Sequence, residues 1–309
     1  MRTQLVMLAV LVGLSACTKH DDSKLALALN WKPEPEFGGF FEAERTDAYS
    51  KRGLVVERTG GPGAPVVQMV DAGQVAFGIA SADEVVMARD RGSDVVAIFA
   101  TYQTCPQGLM THAARGIDTL EKLMKSPGTL AVEPGLPYVK FLEQRYGFAG
   151  LKVVPYSYSI APFLQDPTMT QQVFVTAEPI SARRAGAKTS VFLVADSGYN
   201  PYTAVVIAKG ETLVRDRARV AQFVAALRDG WRDYLADPAP SNAVMGKLNT
   251  EMDAEAFAEA AKAQQPLIEN AGGVGRMNAE RWTEMAAQLK SLGLIKAVQP
   301  GESYFRNFE

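Results

Sequence analysis

Short apolar runs alternate with stretches of helical spacing along most of this chain. Leu25 to Leu29 is an unbroken apolar run, stopped by Asn30-Trp31-Lys32-Pro33, and predicts a buried strand. Residues 40–51 carry helical spacing and end at Gly53, residues 54–56 predict the next strand, and 65–72 place Val66, Val67, Met69 and Val70 on a short helix. Residues 75–80 predict another buried strand, 81–91 a helix and 95–100 a fourth strand. Strand and helix therefore alternate over the first hundred residues, which predicts a mainly parallel sheet with helices on both faces.

The middle third repeats that theme. A helix over 119–124 precedes a strand at 129–132 that runs into Glu133-Pro134-Gly135. Residues 137–146 set Tyr138, Phe141, Leu142 and Tyr146 at a spacing of three or four, and 153–156 are extended. Strands are expected at 172–176, 191–194 and 204–208, with a short helix starting at Glu178-Pro179. From Glu211 onward the pattern is helical, with Val220, Phe223, Val224, Leu227, Trp231, Tyr234 and Leu235 on one face. Further helices follow at 245–248, 252–263 and 281–292, and the tail is expected to pack by Tyr304, Phe305 and Phe308. A helical run after two α/β modules suggests that the C-terminal third returns to cover the first. The expected lobes are 25–104 plus 202–309 and 105–201, joined near 101–107 and 195–203 and facing each other across a cleft.

Composition then narrows the class. The chain has 309 residues, 47% apolar and 21% charged, too apolar and evenly charged for disorder. With 32 basic against 34 acidic side chains it lacks a nucleic-acid footprint, and two cysteines cannot make a disulfide scaffold. Arg2 followed by the apolar run Leu5 to Ala16 and Cys17 forms a secretory signal, shorter than the ~20 residues of a membrane-spanning helix. Leu14-Ser15-Ala16-Cys17 resembles a lipobox, so residues 1–16 are expected to be removed, Cys17 lipidated, and 17–24 left as a polar tether. The other reading is an ordinary signal peptide with an incidental cysteine. Either way the folded part works outside the cytoplasmic membrane.

Candidate chemistry is sparse. Gly60-Gly61-Pro62-Gly63 lacks the Lys-Ser/Thr of a phosphate loop, and Gly272-Gly273-Val274-Gly275 follows no strand pattern, so both read as turns. His20 and His112 are the two histidines, and His20 lies in the tether, so no paired-histidine metal site is expected. Cys105, seven residues before His112, reads as a thiol with a base or as a small side chain in a loop. No cofactor is expected, and no catalytic set emerges.

Six segments together resemble one family. LALNWKPEPEFGGFFEA (27–43), AGQVAFGIASADEVVMAR (72–89), CPQGLMTH with GIDTLEKL (105–123), AVEPGLPYVKFLEQRYG (131–147), AEPISARRAG (177–186) and SGYNPYTAVVIAKGE (197–211) resemble the extracytoplasmic solute-binding proteins of ABC importers. The branch is that of nitrate, sulfonate and taurine binders and binders of thiamine pyrimidine precursors. The resemblance implies a type II periplasmic-binding-protein fold, α/β, with two lobes, a central cleft and two hinge crossings. It also implies closure on one small molecule and delivery to a membrane permease with its ATPase, by a chain expected to be monomeric.

Ligands of such sheets bind beyond the carboxyl ends of parallel strands and at helix N-termini. Asn30 and Trp31 follow the first strand, and Trp31 is a candidate stacking wall or a core residue. Phe37, Gly38 and Gly39 follow, the glycines offering backbone N–H groups or simply a turn. Ser81-Ala82-Asp83-Glu84 is a strand-to-helix junction of the kind the family uses, and also a capping box. In the second lobe Glu133, Gly135 and Tyr138 form the matching junction, with Tyr138 a candidate to close over a flat ligand on Trp31. Glu178, Tyr199 and Tyr202 complete the set, each alternatively a cap or a hinge packing residue.

The loops hold Glu34, Glu36, Glu133 and Glu178 against Lys32, with Arg183 and Arg184 close enough in sequence to reach the cleft. Four carboxylates repel an anion and suit a flat amine or aminopyrimidine through stacking and charge-assisted hydrogen bonds. The expected ligand is a nitrogen heterocycle such as a thiamine pyrimidine precursor. Sulfonate, taurine, nitrate or a flavin are the alternatives in the same role. An enzyme of the yeast-type thiamine pyrimidine synthase kind shares the fold, but the segment around Cys105 lacks its histidine- and cysteine-rich iron motif. A ligand-sensing lipoprotein without transport is the remaining alternative.

Overall fold

The computed structural model describes residues 24–269 and 272–308. The export signal, Cys17 and the tether up to Ser23 lie outside the described residues. Lys24, expected as the last tether residue, instead opens the first strand and pairs with Val55.

Among the described residues, ten strands form two five-stranded sheets. The first sheet contains β1 (Lys24–Leu29), β2 (Val55–Gly60), β3 (Phe77–Ala80), β4 (Val95–Tyr102) and a late strand, in the order β2-β1-β3-β10-β4. The second contains β5 (Gln107–His112), β6 (Gly128–Val132), β7 (Leu151–Pro155), β8 (Met169–Phe174) and β9 (Thr189–Leu193), in the order β7-β6-β8-β5-β9. The late strand of the first sheet is β10 (Thr203–Lys209).

The two orders are the same pattern, and each sheet has one antiparallel member. β10 runs antiparallel to β3 and β4, and β5 runs antiparallel to β8 and β9. Each is the first strand after a crossing, so each arrives from the opposite lobe and inserts in reversed sense. The mainly parallel expectation holds for the remaining core pairs, β1 with β2 and β3, and β6 with β7 and β8. β5 is the strand that the pattern missed. Gln107-Gly108 and Thr111-His112 flank only Leu109 and Met110, too short an apolar run to announce a strand.

Twelve α-helices among the described residues cover the sheets. In lobe I they are α1 (Gly38–Arg45), α2 (Val66–Asp71) and α3 (Ala82–Asp90); in lobe II, α4 (Leu120–Lys125), α5 (Pro137–Tyr146), α6 (Ala161–Gln165) and α7 (Glu178–Arg184). The C-terminal series is α8 (Gly210–Arg215), α9 (Arg217–Ala236), α10 (Ala239–Leu248), α11 (Ala254–Ile268) and α12 (Ala279–Ser291). As expected, this series returns to the first sheet. The apolar face of α9 packs Phe223 flat on Phe77, ring centroids 4.0 Å apart, and sets Trp231 edge-on to Phe40 at 5.9 Å. The tail follows: Ala97 donates to the Tyr304 carbonyl, Arg306 donates back to Ala97, and Trp282 stacks between Tyr304 and Phe305.

Among the described residues no helix is long and apolar enough to cross a membrane.

Candidate functional site

Both crossings are pinned to lobe I by one side chain. Arg281 of α12 donates to the carbonyls of Gln103 (2.5 Å) and Asn200 (2.8 and 3.0 Å) and to the Asn200 side chain (3.0 Å). That Asn200 side chain also accepts from the backbone N–H of Cys105 (2.8 Å), tying one crossing to the other. Cys105 is buried there, its thiol pushed up to about 11 by burial, so it is a packed hinge residue rather than a nucleophile. His112 lies elsewhere, stacked on Phe163 at 4.0 Å.

The carboxyl ends of β1 and β3 face those of β6 and β8 across the cleft. On the lobe I side, Pro33 and Pro35 fix the loop after β1. α10 and α11 then hold its backbone, through Asn249 to the Pro33 carbonyl (3.1 Å) and Gln264 to the Pro35 carbonyl (2.8 Å). Trp31 is half-buried and its indole N–H reaches Glu34 at 3.2 Å. On the lobe II side, Glu178 at the start of α7 accepts from the Tyr156 hydroxyl (2.9 Å) and the Phe174 N–H (2.8 Å).

The ring that comes over Trp31 belongs to Tyr158, not Tyr138. The Trp31 and Tyr158 centroids are 6.1 Å apart at 33°, with Tyr156 a further 5.3 Å along. Tyr158 holds a left-handed backbone (φ 56°), which costs a non-glycine residue about 1 kcal/mol. Tyr138 is buried within lobe II, its hydroxyl donating to Gln172 (3.2 Å), which also accepts from the Glu133 N–H (2.6 Å). Tyr156 and Tyr158 are candidate site residues that the sequence reading missed. The pair of tyrosines two apart beyond a strand end was the available signal.

Glu34, Glu36 and Glu178 converge from the two lobes. Each keeps some solvent contact while lying deep among protein atoms, as groups lining a cleft do. Burial, then the charge of Glu178, pushes Glu34 up to about 7, against the pull of Trp31 and Lys32. Burial, then Glu34 and Glu178, holds Glu36 well above the ordinary carboxylate range, and burial raises Glu178. Lys32 sits 5.6 Å from the Trp31 ring and pairs with Glu251 at the rim. Arg183 and Arg184 do not reach the cleft: they pair with Glu259, and with Asp253 and Glu255, on α11. Among the described residues no three His, Cys, Asp or Glu side chains are placed to hold a metal ion.

A family model described as NMT1/THI5 like matches residues 34–241, which span both lobes and this cleft. The chain belongs to the NMT1/THI5-like family. Among relatives, the riboflavin-binding protein RibY of Chloroflexus aurantiacus is 22% identical over 303 residues, covering 92% of this chain and 85% of its own. The periplasmic aliphatic sulphonate binding protein SsuA of Escherichia coli superposes with a TM-score of 0.72 at 13% identity, over 93% of each chain. The alkanesulfonate-binding protein SsuA of Xanthomonas axonopodis pv. citri, bound to MOPS, gives 0.68 at 11% identity, over 92% of this chain and 98% of its own. These likenesses establish the type II periplasmic-binding-protein fold.

Several residues expected at the ligand are packing or capping residues instead. Phe37 is fully buried on Phe40. A Cβ on Gly38 would lie 2.1 Å from the Tyr234 ring and one on Gly39 2.3 Å from Trp231, so these glycines admit α9 against α1 rather than a ligand. Ser81 and Glu84 form the capping box, with the Ser81 N–H on Glu84 at 2.8 Å. The Ala82 N–H goes to the Tyr202 carbonyl (2.9 Å). Tyr202 is buried under Arg281 (3.9 Å) and beside Trp282, its hydroxyl accepting from Asn278. Tyr199 is buried at the second crossing and donates to Asp83 (2.8 Å). Asn30 stays exposed at the end of β1, Glu133 is half-buried, and Gly135 makes an exposed left-handed turn (φ 87°). The cleft set is therefore Trp31, Glu34, Glu36, Glu133, Tyr156, Tyr158 and Glu178.

Proposed function

We propose that this chain is the extracytoplasmic substrate-binding component of an ABC importer, anchored by a lipid on Cys17. It captures a flat, positively charged nitrogen heterocycle of the thiamine-pyrimidine-precursor kind and delivers it to a permease and its ATPase. The observation that carries the ligand class is the convergence of Glu34, Glu36 and Glu178 beside the Trp31–Tyr158 pair. Three carboxyls whose ionisation is held back by burial and by one another offer an anion nothing, and a cation gains by drawing them into the ionised form. Two aromatic faces favour a planar one, since stacking adds ~0.5–1.5 kcal/mol per pair beyond area burial. A ring between two walls needs ~7 Å, twice a van der Waals stacking distance of ~3.5 Å. The two rings stand 6.1 Å apart between centroids and tilted by 33°, so they must part and turn parallel to admit one.

A flavin is the second reading. The likeness to RibY supports it, and the same aromatic pair suits an isoalloxazine as well as a pyrimidine.

A thermal-shift screen of aminopyrimidines, riboflavin, taurine, alkanesulfonates and nitrate tests both. A ligand at 100 times its dissociation constant stabilises the protein by ~2.7 kcal/mol. An aminopyrimidine shift that Glu178→Gln abolishes supports the cationic reading. A riboflavin shift that Glu178→Gln leaves intact moves the assignment to flavin, and a shift with sulfonate alone overturns both.

A further inference from the structure

Besides the Trp31–Tyr158 pair, the two lobes touch through a helix that carries opposite forces at its two ends. At its N-terminus α7 bears Glu178, held by the Tyr156 hydroxyl next to the Tyr158–Trp31 pair, with its charge raising Glu34 and Glu36 of lobe I. Two and more residues further on, the same helix docks on α11 of lobe I. Ile180 is buried against Ala256 and Ala260, with Met252 alongside, while Arg183 pairs with Glu259 and Arg184 with Asp253 and Glu255. α11 in turn holds the carboxylate loop in place through Gln264 on the Pro35 carbonyl.

We propose that α7 and α11 form a charge-selective latch: the arginine pairs draw the lobes together, and the cleft carboxylates hold them apart until positive charge arrives between them. A cationic ligand closes the lobes because it cancels the repulsion. A neutral or anionic molecule of the same shape does not. Arg183 and Arg184 then act on specificity without touching ligand. The latch rests on the reading that the carboxylates face the ligand.

Protons are the other source of positive charge. The groups facing the carboxylates are the Trp31 indole N–H and Lys32 beside Glu34, Glu251 behind Lys32, the Tyr156 hydroxyl and Phe174 N–H on Glu178, and the Tyr102 ring near Glu36. Burial and mutual repulsion raise these carboxyls in the closed form, so closing takes up protons and acid favours it.

Small-angle X-ray scattering of the ligand-free full chain tests this, because no ligand identity enters. The wild type contracts as the pH falls from about 8.5 to about 5, through the range near 7 where Glu34 titrates. The double variant Glu34→Gln with Glu178→Gln is contracted at both values. Arg183→Glu with Arg184→Glu, on exposed positions and with unchanged circular dichroism, is expanded at both. Identical wild-type scattering at the two pH values overturns the proposal, as does a latch variant that contracts like the wild type. If contraction follows charge as stated while the screen finds only riboflavin, the ligand reading alone fails.

Discussion

Lobe I and lobe II share one strand order and differ in what covers it. In lobe I, β4 is buried along its whole length and β10 along six of its seven residues, because α9, α11, α12 and the tail return to that sheet. The outer edge strands β2 and β7 keep solvent contact at every position in both lobes, but in lobe II so does β9, the counterpart of the buried β4. One lobe II core cluster is only Met110, Ala131, Phe163, Met169, Val173 and Ala182. Buried apolar area is worth ~25 cal/mol per Å2, so lobe I is the stiffer platform. Trp31, Glu34 and Glu36 inherit its fixed position. Tyr156 and Tyr158 stand on a loop beyond a lean edge strand, and form the side of the cleft better able to shift.

The largest test of that contrast is Trp231→Ala. Trp231 fills the space left by Gly39 and meets Phe40 and Tyr234 edge-on, so its loss should cost ~3–5 kcal/mol in urea unfolding. Tyr158→Ala, on an exposed ring of lobe II, should cost under ~0.5 kcal/mol. Equal midpoints for the two variants would erase the platform. Arg281→Ala comes next, at ~2–3 kcal/mol, because it strips charge-assisted donors from the carbonyls of Gln103 and Asn200. Arg281→Lys should recover less than half, since a point charge cannot span both crossings as the planar fork does.

What the sequence disclosed follows the same divide. Elements with a one-sided or continuous apolar pattern were legible: β1, β3, β4, α5 and α9 fall within a few residues of their expected positions. The lobe I loop was legible in part, since Trp31 stands where two prolines break a strand pattern. Gly38, Gly39 and Tyr202 were not, because whether a residue meets a ligand or a returning helix depends on a partner far along the chain: Tyr234 for Gly38, Trp231 for Gly39, and Arg281 with Trp282 for Tyr202. Tyr158 was hidden for the converse reason: its value lies in reaching across the cleft, and sequence carries no sign of what faces it. Arg183 and Arg184 looked like cleft cations until α11 supplied their carboxylates.

Binding should reverse the ranking seen in stability. Trp31→Ala and Tyr158→Ala should each weaken the ligand found in the screen by roughly ten- to thirtyfold, about 1.4–2 kcal/mol, by calorimetry. Tyr138→Phe loses one hydrogen bond to Gln172 inside lobe II and should change affinity by less than about threefold. A larger loss for Tyr138→Phe than for Tyr158→Ala would return the second wall to Tyr138.

The dependence on pH is a modest effect, and its sign is fixed by Glu34. Its carboxyl is pushed up from an ordinary 4.5 to about 7 by burial and by Glu178 across the cleft. In the native chain it therefore holds a proton between those values that the unfolded chain has lost. Ligand-free stability should fall as the pH rises from 4.5 through 7, because the native state binds more protons over that window. Cation affinity should move the other way, rising through about 7 as the carboxylate forms and levelling above it. With the partial solvent contact of Glu34 discounted, the span is a few-fold, about 1 kcal/mol. Calorimetry and urea unfolding on one pH series check both slopes, and Glu34→Gln should flatten them together. Slopes of the same sign would mean that Glu34 belongs to the platform alone and not to the space between the lobes.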